Sequence, residues 1–260
     1  MLGAEQIHNP TLSLVEKAYI ALFGMPIVGL RIRARNIFSL IPQDRPYHRI
    51  LDAGSGPGVF AFELGRRFPG ARVLGIDILD DSVRICRRIA ERIRSEALEF
   101  RREPIEAVSE KGAFDLILCV DLLEHIEDDW KALKSLFSAA SPGGVLVVHV
   151  PALYRRYPVF SKHLNFEVET HVRIGYLPEE IRERVEEAGF AVREIGYTYG
   201  FWETLANNLS FMITHARMKN KLLYALAFPF LNALSLLGAR ARPKQLGAGL
   251  YVVAVKGELR

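Results

Sequence analysis

The sequence predicts an α/β fold in which a parallel sheet is covered by helices on both faces. From residue 49 onward, short apolar and β-branched runs alternate with amphipathic stretches, a pattern typical of a doubly wound sheet. The chain has 260 residues, of which 50% are hydrophobic and 25% are charged. This length and composition fit one α/β domain with appended segments.

The predicted strands and helices follow one another in a regular order. We predict strands near 49–52, 72–77, 97–102, 114–120, 144–150, 190–198 and 249–257. We predict helices near 59–68, 80–95, 128–140 and 178–188. In the second of these helices, Val83, Ile85 and Ile89 recur among arginines, which indicates a surface helix with one buried face. Pro178, followed by two acids, is typical of a helix N-terminus.

The chain divides into three regions. We predict a helical N-terminal extension at 1–45, an α/β domain formed by 46–199 together with 249–260, and a helical insertion at 200–248. The insertion is far longer than the turn that joins two neighbouring strands. We therefore expect it to have a task of its own.

The segment Asp52-Ala-Gly-Ser-Gly-Pro-Gly58 lies between the first predicted strand of the domain and the helix that follows. Strand, glycine loop and helix together are typical of a nucleotide site. Gly54, Gly56 and Gly58 let the backbone turn sharply and approach a ligand, because no Cβ intervenes. Asp52 would repel a phosphate, so it favours a ligand that carries an ammonium group.

A second acid, Asp77, ends the second predicted strand. A carboxylate at this position can accept hydrogen bonds from the hydroxyls of a ribose. The glycine loop and the two acids, with this spacing, point to a cofactor that contains a nucleoside.

Four motifs in order resemble those of class I S-adenosylmethionine-dependent methyltransferases, in the "type 11" group that includes the ubiquinone-biosynthesis methyltransferases. Residues 52–58 match the acid-and-glycine motif, and Asp77 matches the ribose-binding acid. Residues 114–126 resemble the fourth strand with its Leu-Glu-His turn, and residues 141–151 resemble the Pro-Gly-Gly turn with the fifth strand.

The resemblance covers roughly 49–199 and 249–257. It implies a Rossmann-like seven-stranded sheet whose last strand is antiparallel, and S-adenosylmethionine as cofactor. A nicotinamide dehydrogenase is a distant alternative, because it would want a third glycine one position later than Gly58.

The resemblance also assigns roles to individual residues. Asp52, Gly54 and Gly56 are expected at the methionine end of the cofactor, Asp77 at the ribose and Ile78 beside the adenine. Glu103 stands where relatives place an acid near the adenine amino group, and Asp121 is expected to face the methionine portion. The full predicted cofactor set is Asp52, Gly54, Ser55, Gly56, Gly58, Asp77, Ile78, Glu103 and Asp121.

Histidines are the candidates for a catalytic base, because their pKa lies nearest neutrality. His149 ends the fifth predicted strand, and His163 and His171 follow in the next loop. Ligands bind at the carboxyl ends of the strands in such a sheet, so we name His149 and His171 as base candidates. His125 lies in the Leu-Glu-His turn. We predict no metal site, because no cysteine or histidine pair has ligand spacing.

The basic charge of the protein belongs to the insertion. The chain carries a formal net charge of +4, but 201–248 alone contains six basic residues and one acid, Glu203. Residues 222–239 are uncharged and are flanked by these basic residues. A single membrane span is excluded, because both ends of the insertion return to one sheet.

We therefore expect the insertion to lie on an anionic membrane surface. The alternatives are a lid over an apolar substrate pocket and a dimer interface; the sequence predicts no oligomeric state. The basic stretch 30–41, with Arg31, Arg33 and Arg35, is a candidate for the same basic face, and the alternative is a solvated helix packed on the core. A nucleic-acid partner is not expected, because the basic residues bracket an apolar run without interleaved aromatics.

We predict a methyltransferase for a hydrophobic, lipid-like or membrane-associated acceptor. One alternative is a soluble O- or N-methyltransferase for a small molecule, with the insertion as a lid. Another is a non-catalytic cofactor-binding or scaffold subunit that recruits partners to a membrane. The two cysteines, Cys86 and Cys119, fall in a predicted helix and a predicted buried strand, which favours a reducing cytoplasm. We expect the protein there, or peripherally on the inner face of the cell membrane.

Overall fold

The computed structural model describes residues 1–156, 162–164, 170–215, 221–239 and 247–257. The strands are β1 (Arg49–Ala53), β2 (Arg72–Asp77), β3 (Leu98–Arg102), β4 (Phe114–Val120), β5 (Ala140–Pro151), β6 (Tyr154–Arg156), β7 (Lys162–Leu164), β8 (Ala191–Thr198) and β9 (Gly249–Val255). The α-helices are α1 (Leu14–Phe23), α2 (Val28–Leu40), α3 (Val59–Arg67), α4 (Asp80–Arg92), α5 (Asp129–Ala139), α6 (Pro178–Glu187), α7 (Phe201–His215) and α8 (Lys221–Leu236).

Seven strands form one sheet in the order β3-β2-β1-β4-β5-β9-β8. The pairs among β1 to β5 are parallel, whereas β9 runs antiparallel to both β5 and β8. The predicted fold class is confirmed, including the antiparallel last strand. The short hairpin of β6 and β7 was not predicted.

The sheet is buried on both faces because successive side chains of each strand point alternately into two apolar cores. In β1, Ile50 packs on one side while Leu51 packs on the other, as the period-2 geometry of a strand requires. Helices α5 and α6 cover the side of Leu51, and helices α2, α3 and α4 cover the side of Ile50.

A third apolar cluster joins the N-terminal helices to the insertion. Val28 and Ile32 of α2 pack with Ala206 of α7 and with Phe228 of α8. The Tyr19 hydroxyl also donates a hydrogen bond to the carbonyl of Ala225 at 2.5 Å. We call the layer formed by α1, α2, α7 and α8 the helical layer. The predicted boundaries of the three regions stay predictions.

Helix α8 occupies most of the uncharged run that the sequence singles out, and it continues through Pro229. Across the described ranges, the structure contains no helix with the length and apolar character that crossing a membrane needs.

Candidate active site

The predicted cofactor residues lie along one edge of the sheet. Asp52, Asp77 and Asp121 lie at or immediately after the carboxyl ends of β1, β2 and β4, and Glu103 follows β3. These four strands are neighbours in the sheet. The fold therefore brings together residues that are far apart in the sequence.

The glycine loop between β1 and α3 is fixed to β2 and leaves open space at its tip. The N–H groups of Gly54 and Ser55 both donate to the carbonyl of Ile76, at 2.9 and 2.8 Å. A Cβ on Gly54 would collide with Leu122, but a Cβ on Gly56 would meet no atom within 4 Å. Gly56 also has a φ of +48°, which favours glycine. The backbone at Gly56 is thus exposed to a ligand.

Asp77 holds the loop in this shape. One carboxylate oxygen accepts a hydrogen bond from the Gly56 N–H at 2.8 Å, and the other accepts one from the Leu79 N–H at 2.8 Å. The side chain therefore stands between the glycine loop and the end of β2, where a ribose would lie.

Asp52 is the residue that most clearly favours a cationic ligand. Its side chain is 2% exposed, and its Oδ2 atom has no hydrogen-bond partner. Burial raises the pKa of Asp52 to about 7, with a further contribution from Asp77. The buried Ser55 hydroxyl also lacks a partner. A buried carboxylate beside an unpaired hydroxyl fits the ammonium end of S-adenosylmethionine.

Ile78 and Glu103 complete the predicted cofactor set on the far side of Asp77. Ile78 is well exposed, so its apolar side chain is accessible to the aromatic ring of an adenine. The Glu103 N–H donates to the carbonyl of Asp77 at 3.1 Å, and its carboxylate accepts from the Ser109 N–H at 2.6 Å. The roles of all nine predicted cofactor residues stay predictions.

Asp121 is the centre of a network of charges. Arg33 Nη1 lies 2.6 Å from one of its oxygens, and His149 Nδ1 lies 2.5 Å from the other. Burial alone would raise the pKa of Asp121, but the Arg33 guanidinium and His149 outweigh burial and lower it. Asp121 also adopts a φ of +49°, a strained backbone conformation that accompanies functional sites.

His149 has both ring nitrogens engaged. Because a carboxylate only accepts, Nδ1 carries the proton toward Asp121, and Nε2 lies 2.9 Å from the Thr198 hydroxyl oxygen. His149 is also buried at 2% exposure. This geometry favours a positioning role, and its predicted role as a base stays a prediction.

His171 is the better placed of the two base candidates. Its Nδ1 atom is buried and has no partner. Burial lowers the pKa of His171, and the neighbouring His125 lowers it further. The two rings meet edge to face with centroids 4.6 Å apart. The backbone of His163 lies in β7, but its side chain is outside the described part of the chain.

Glu124, His125 and His171 each offer a ligand atom, and these atoms lie within 4.8 Å of one another. Glu124 is fully buried with an unpartnered Oε2, and burial raises its pKa, with a further contribution from Asp121. The expectation of no metal site rested on spacing within the sequence. The fold brings together three possible metal ligands that spacing within the sequence does not reveal, because His171 lies in a loop far along the chain from Glu124 and His125.

Sequence reasoning missed the role of Arg33. It named this residue only as a candidate for a basic outer face, but in the structure Arg33 forms an ion pair with Asp121. The reason is the helical periodicity of α2, which sends Arg31 and Arg35 to the opposite side of the helix from Arg33. Arg33 links the helical layer to the end of β4.

The strand order, the glycine loop and the acids at the strand ends define a class I S-adenosylmethionine-dependent methyltransferase, a class whose methyl donor is S-adenosylmethionine. A family model described as a methyltransferase domain matches residues 30–195. This match spans more than half of the chain, and the chain belongs to that family.

Two curated relatives show how far the similarity extends. A ubiquinone biosynthesis O-methyltransferase of Acinetobacter baylyi is 33% identical over 98 residues, which are 37% of this chain and 40% of the relative. A trans-aconitate 2-methyltransferase of Deinococcus radiodurans is 36% identical over 119 residues, which are 46% of this chain and 43% of the relative. The chain thus spans about two fifths of the length of these relatives.

Among solved structures, phosphoethanolamine N-methyltransferase 2 of Haemonchus contortus in complex with S-adenosyl-L-methionine has a similar fold. The TM-score is 0.62 at 16% identity, with 99% of this chain and 61% of the other covered. At this identity the likeness concerns the fold alone.

Proposed function

We propose that the protein transfers the methyl group of S-adenosylmethionine to a hydrophobic, lipid-like acceptor at a membrane surface. The observation that carries this proposal is the helical layer. Its inner side reaches the site through the ion pair of Arg33 and Asp121, and its outer side exposes large apolar side chains.

The cofactor part of the proposal rests on the site at the strand ends. S-adenosylmethionine, when bound, supplies a methyl group on a sulfonium, which is already an activated leaving group. The protein then has to align the acceptor and exclude water. Asp52 and Ser55 would hold the ammonium end and Asp77 the ribose, because these are the groups with unpaired or suitably placed oxygens.

His171 supports a reaction at an oxygen or nitrogen that carries a proton. Burial lowers the pKa of His171, which favours the neutral ring, and a neutral imidazole can accept the proton that the acceptor loses. We assign it the role of general base, and assign His149 the task of holding Asp121 in place.

The acceptor part rests on the outer side of the helical layer. In α8, Leu222, Leu226 and Phe230 follow one another at a spacing of four residues, and Phe230 is 78% exposed. In α1, Leu14 is 84% exposed and Leu22 is 70% exposed. Large apolar side chains exposed on two helices of one layer support contact with a lipid or protein surface.

Charge favours an anionic lipid surface. The segment 201–248 has six basic residues against one acid, and each basic residue near an anionic leaflet contributes about 1 kcal/mol. An interfacial helical layer with the site beneath it would let an apolar acceptor pass from the bilayer to the methyl donor. We place the protein peripherally on the cytoplasmic face of the membrane.

The test begins with calorimetry of S-adenosylmethionine binding to the wild-type protein and to Asp77→Asn. The matched control is Asp81→Asn, because Asp81 is an exposed carboxylate of α4 whose partner is Arg84. Sedimentation with anionic liposomes and transfer of labelled methyl groups to a membrane lipid extract follow on the same three proteins.

We expect the wild type and Asp81→Asn to bind S-adenosylmethionine, to sediment with liposomes and to label the lipid fraction. Asp77→Asn should sediment but lose cofactor binding. If the wild type binds the cofactor but does not sediment with liposomes, and methyl groups label a water-soluble extract, the acceptor is a soluble molecule and not a lipid. Failure of the wild type to bind the cofactor would leave a scaffold as the remaining function.

A further inference from the structure

A cleft lies between α2, α3 and α8, away from the ends of the strands. Its volume is about 320 Å³, which is within the range of small-molecule sites. Four arginines line it: Arg31, Arg35, Arg66 and Arg67. The same helix that sends Arg33 to the methyl-transfer site sends Arg31 and Arg35 to this cleft, so the two sites are separate.

The arginines of the cleft outnumber their carboxylate partners. Arg66 and Arg67 share one carboxylate, that of Glu63, at 2.5 and 2.7 Å. Arg35 lies 3.5 Å from Glu203. Arg31 makes no ion pair within the described residues and donates instead to the carbonyls of Phe23 and Met25. The cleft therefore holds more positive than negative charge.

This excess of charge is buried in part and is not fully hydrogen-bonded. Burial lowers the pKa of Arg31, and the charge on Arg35 one helical turn away lowers it further. The Nε atom of Arg35 is buried and has no hydrogen-bond partner. Cations that are desolvated without an anion are costly, so an anion that entered the cleft would be stabilised.

The position of the cleft on α8 indicates where the anion comes from. Successive residues of an α-helix are about 100° apart, so Asn232 and Leu236 lie on one flank of α8. The core-facing Phe228 is on one side of that flank, and the exposed stripe of Leu226 and Phe230 is on the other. Leu236, which lines the cleft, is itself 51% exposed.

We propose that this cleft binds the phosphate headgroup of an anionic phospholipid, whose acyl chains then lie along the exposed stripe of α8. A phosphate ester suits the cleft because the guanidinium fork binds its oxygens in pairs. A lipid suits it because the basic cleft and the apolar stripe adjoin on one helix. The site anchors the helical layer at the membrane, and it extends the proposed function without using any residue of the methyl-transfer site.

The test compares two double variants that remove the same charge. R66Q/R67Q removes two half-exposed arginines of the cleft, and R84Q/R88Q removes two exposed arginines of α4. Each protein is titrated with vesicles of phosphatidylglycerol in phosphatidylcholine and with vesicles of phosphatidylcholine alone. Calorimetry with sn-glycerol 3-phosphate tests the soluble ester, and S-adenosylmethionine binding reports the fold.

We expect R66Q/R67Q to lose roughly tenfold or more in affinity for the anionic vesicles, since each basic residue contributes about 1 kcal/mol there. R84Q/R88Q should lose much less, and neither variant should change S-adenosylmethionine binding. Equal losses in the two variants would overturn the proposal, because non-specific electrostatic attraction between the protein and the vesicle would then explain the binding. So would wild-type binding of glycerol phosphate without binding of anionic vesicles, since that result assigns the cleft to a soluble phosphate. Failure of methyl transfer with intact vesicle binding would count against the proposed function alone.

Discussion

At the scale of single residues, the predictable part of the site is local in the sequence. Asp52, the glycines and Asp77 belong to patterns that each occupy one strand end, and the structure brings them to one edge of the sheet. The inward turn of Arg33 and the meeting of Glu124 with His171 were not predictable. Both depend on which loop or helix covers the strand ends, and no local pattern encodes that.

Asp52 should make cofactor binding depend on pH. Folding raises its pKa from 3.8 to about 7, so between these values the folded protein holds a proton that the unfolded chain has lost. Stability of the free protein is therefore lost as pH rises through this window. A cationic ligand favours the ionised form, so affinity for S-adenosylmethionine should rise roughly tenfold between pH 6 and pH 8.

Calorimetry in buffers of different ionisation enthalpy should detect the proton that Asp52 releases on binding. Asp52→Asn should remove this release, weaken binding and reduce the loss of stability between pH 4 and pH 7. Identical proton release from the wild type and Asp52→Asn would show that another group titrates.

Gly56→Ala should separate backbone strain from blockage of the site. Gly56 and Gly112 have φ values of +48° and +59°, and a Cβ on either would meet no atom within 4 Å. Alanine should cost about 1 kcal/mol of stability at both positions. Only Gly56→Ala should lose most of its affinity for S-adenosylmethionine, because its methyl group would occupy cofactor space. Denaturant unfolding and calorimetry on the pair measure both effects.

At the scale of elements, the strands of the sheet and the helices that cover it were predicted closely. Apolar residues recur about every second position in a strand and about every 3.6 positions in a helix, so the two kinds of element can be told apart in the sequence. The strand β5 begins at Ala140, earlier than the predicted 144, since Phe114 of β4 pairs with Ala140 across a bulge. The β6–β7 hairpin has three residues in each strand, too few for a visible alternation. The helical layer was predicted as helices, but its packing on α2 was not, because tertiary contacts decide it.

Two phenylalanines in α8 offer a direct test of its two faces. Phe230 is 78% exposed and Phe228 is 1% exposed. Phe230→Ser should change stability by no more than about 0.5 kcal/mol but weaken vesicle binding by about 2 kcal/mol. Phe228→Ala should instead cost about 3–5 kcal/mol of stability. Thermal unfolding and vesicle titration on both variants would measure this, and unchanged vesicle binding in Phe230→Ser would place the interface elsewhere.

At the scale of the whole molecule, the antiparallel last strand came from the resemblance, whereas the alternation of elements predicted only a doubly wound sheet. The uneven charge was visible in the sequence, since 201–248 carries an excess of five positive charges while the whole chain carries +4. The location of four arginines in one cleft needed the packing of α2, α3 and α8.

This uneven charge should make the two binding events differ in their response to salt. Raising the salt concentration from 0.05 M to 0.5 M shortens the range of charge interactions from about 14 Å to about 4 Å. Binding to anionic vesicles should then weaken by roughly tenfold or more, while S-adenosylmethionine binding, which we assign to a site with the buried Asp52 and Ser55, should change little. Parallel titrations at both salt concentrations measure the difference, and equal losses would argue against a charged docking surface.

The position of β9 between β5 and β8 has a consequence for biosynthesis. Its partners β5 and β8 are synthesised before residues 249–255 leave the ribosome. While α7 and α8 are being made, the edge of β5 that later binds β9 has no partner strand. During that delay the backbone of β5 is open to pairing with another chain, and contacts so distant in sequence form slowly. A chain shortened before Gly249 should therefore aggregate, even though every predicted cofactor residue is already in place.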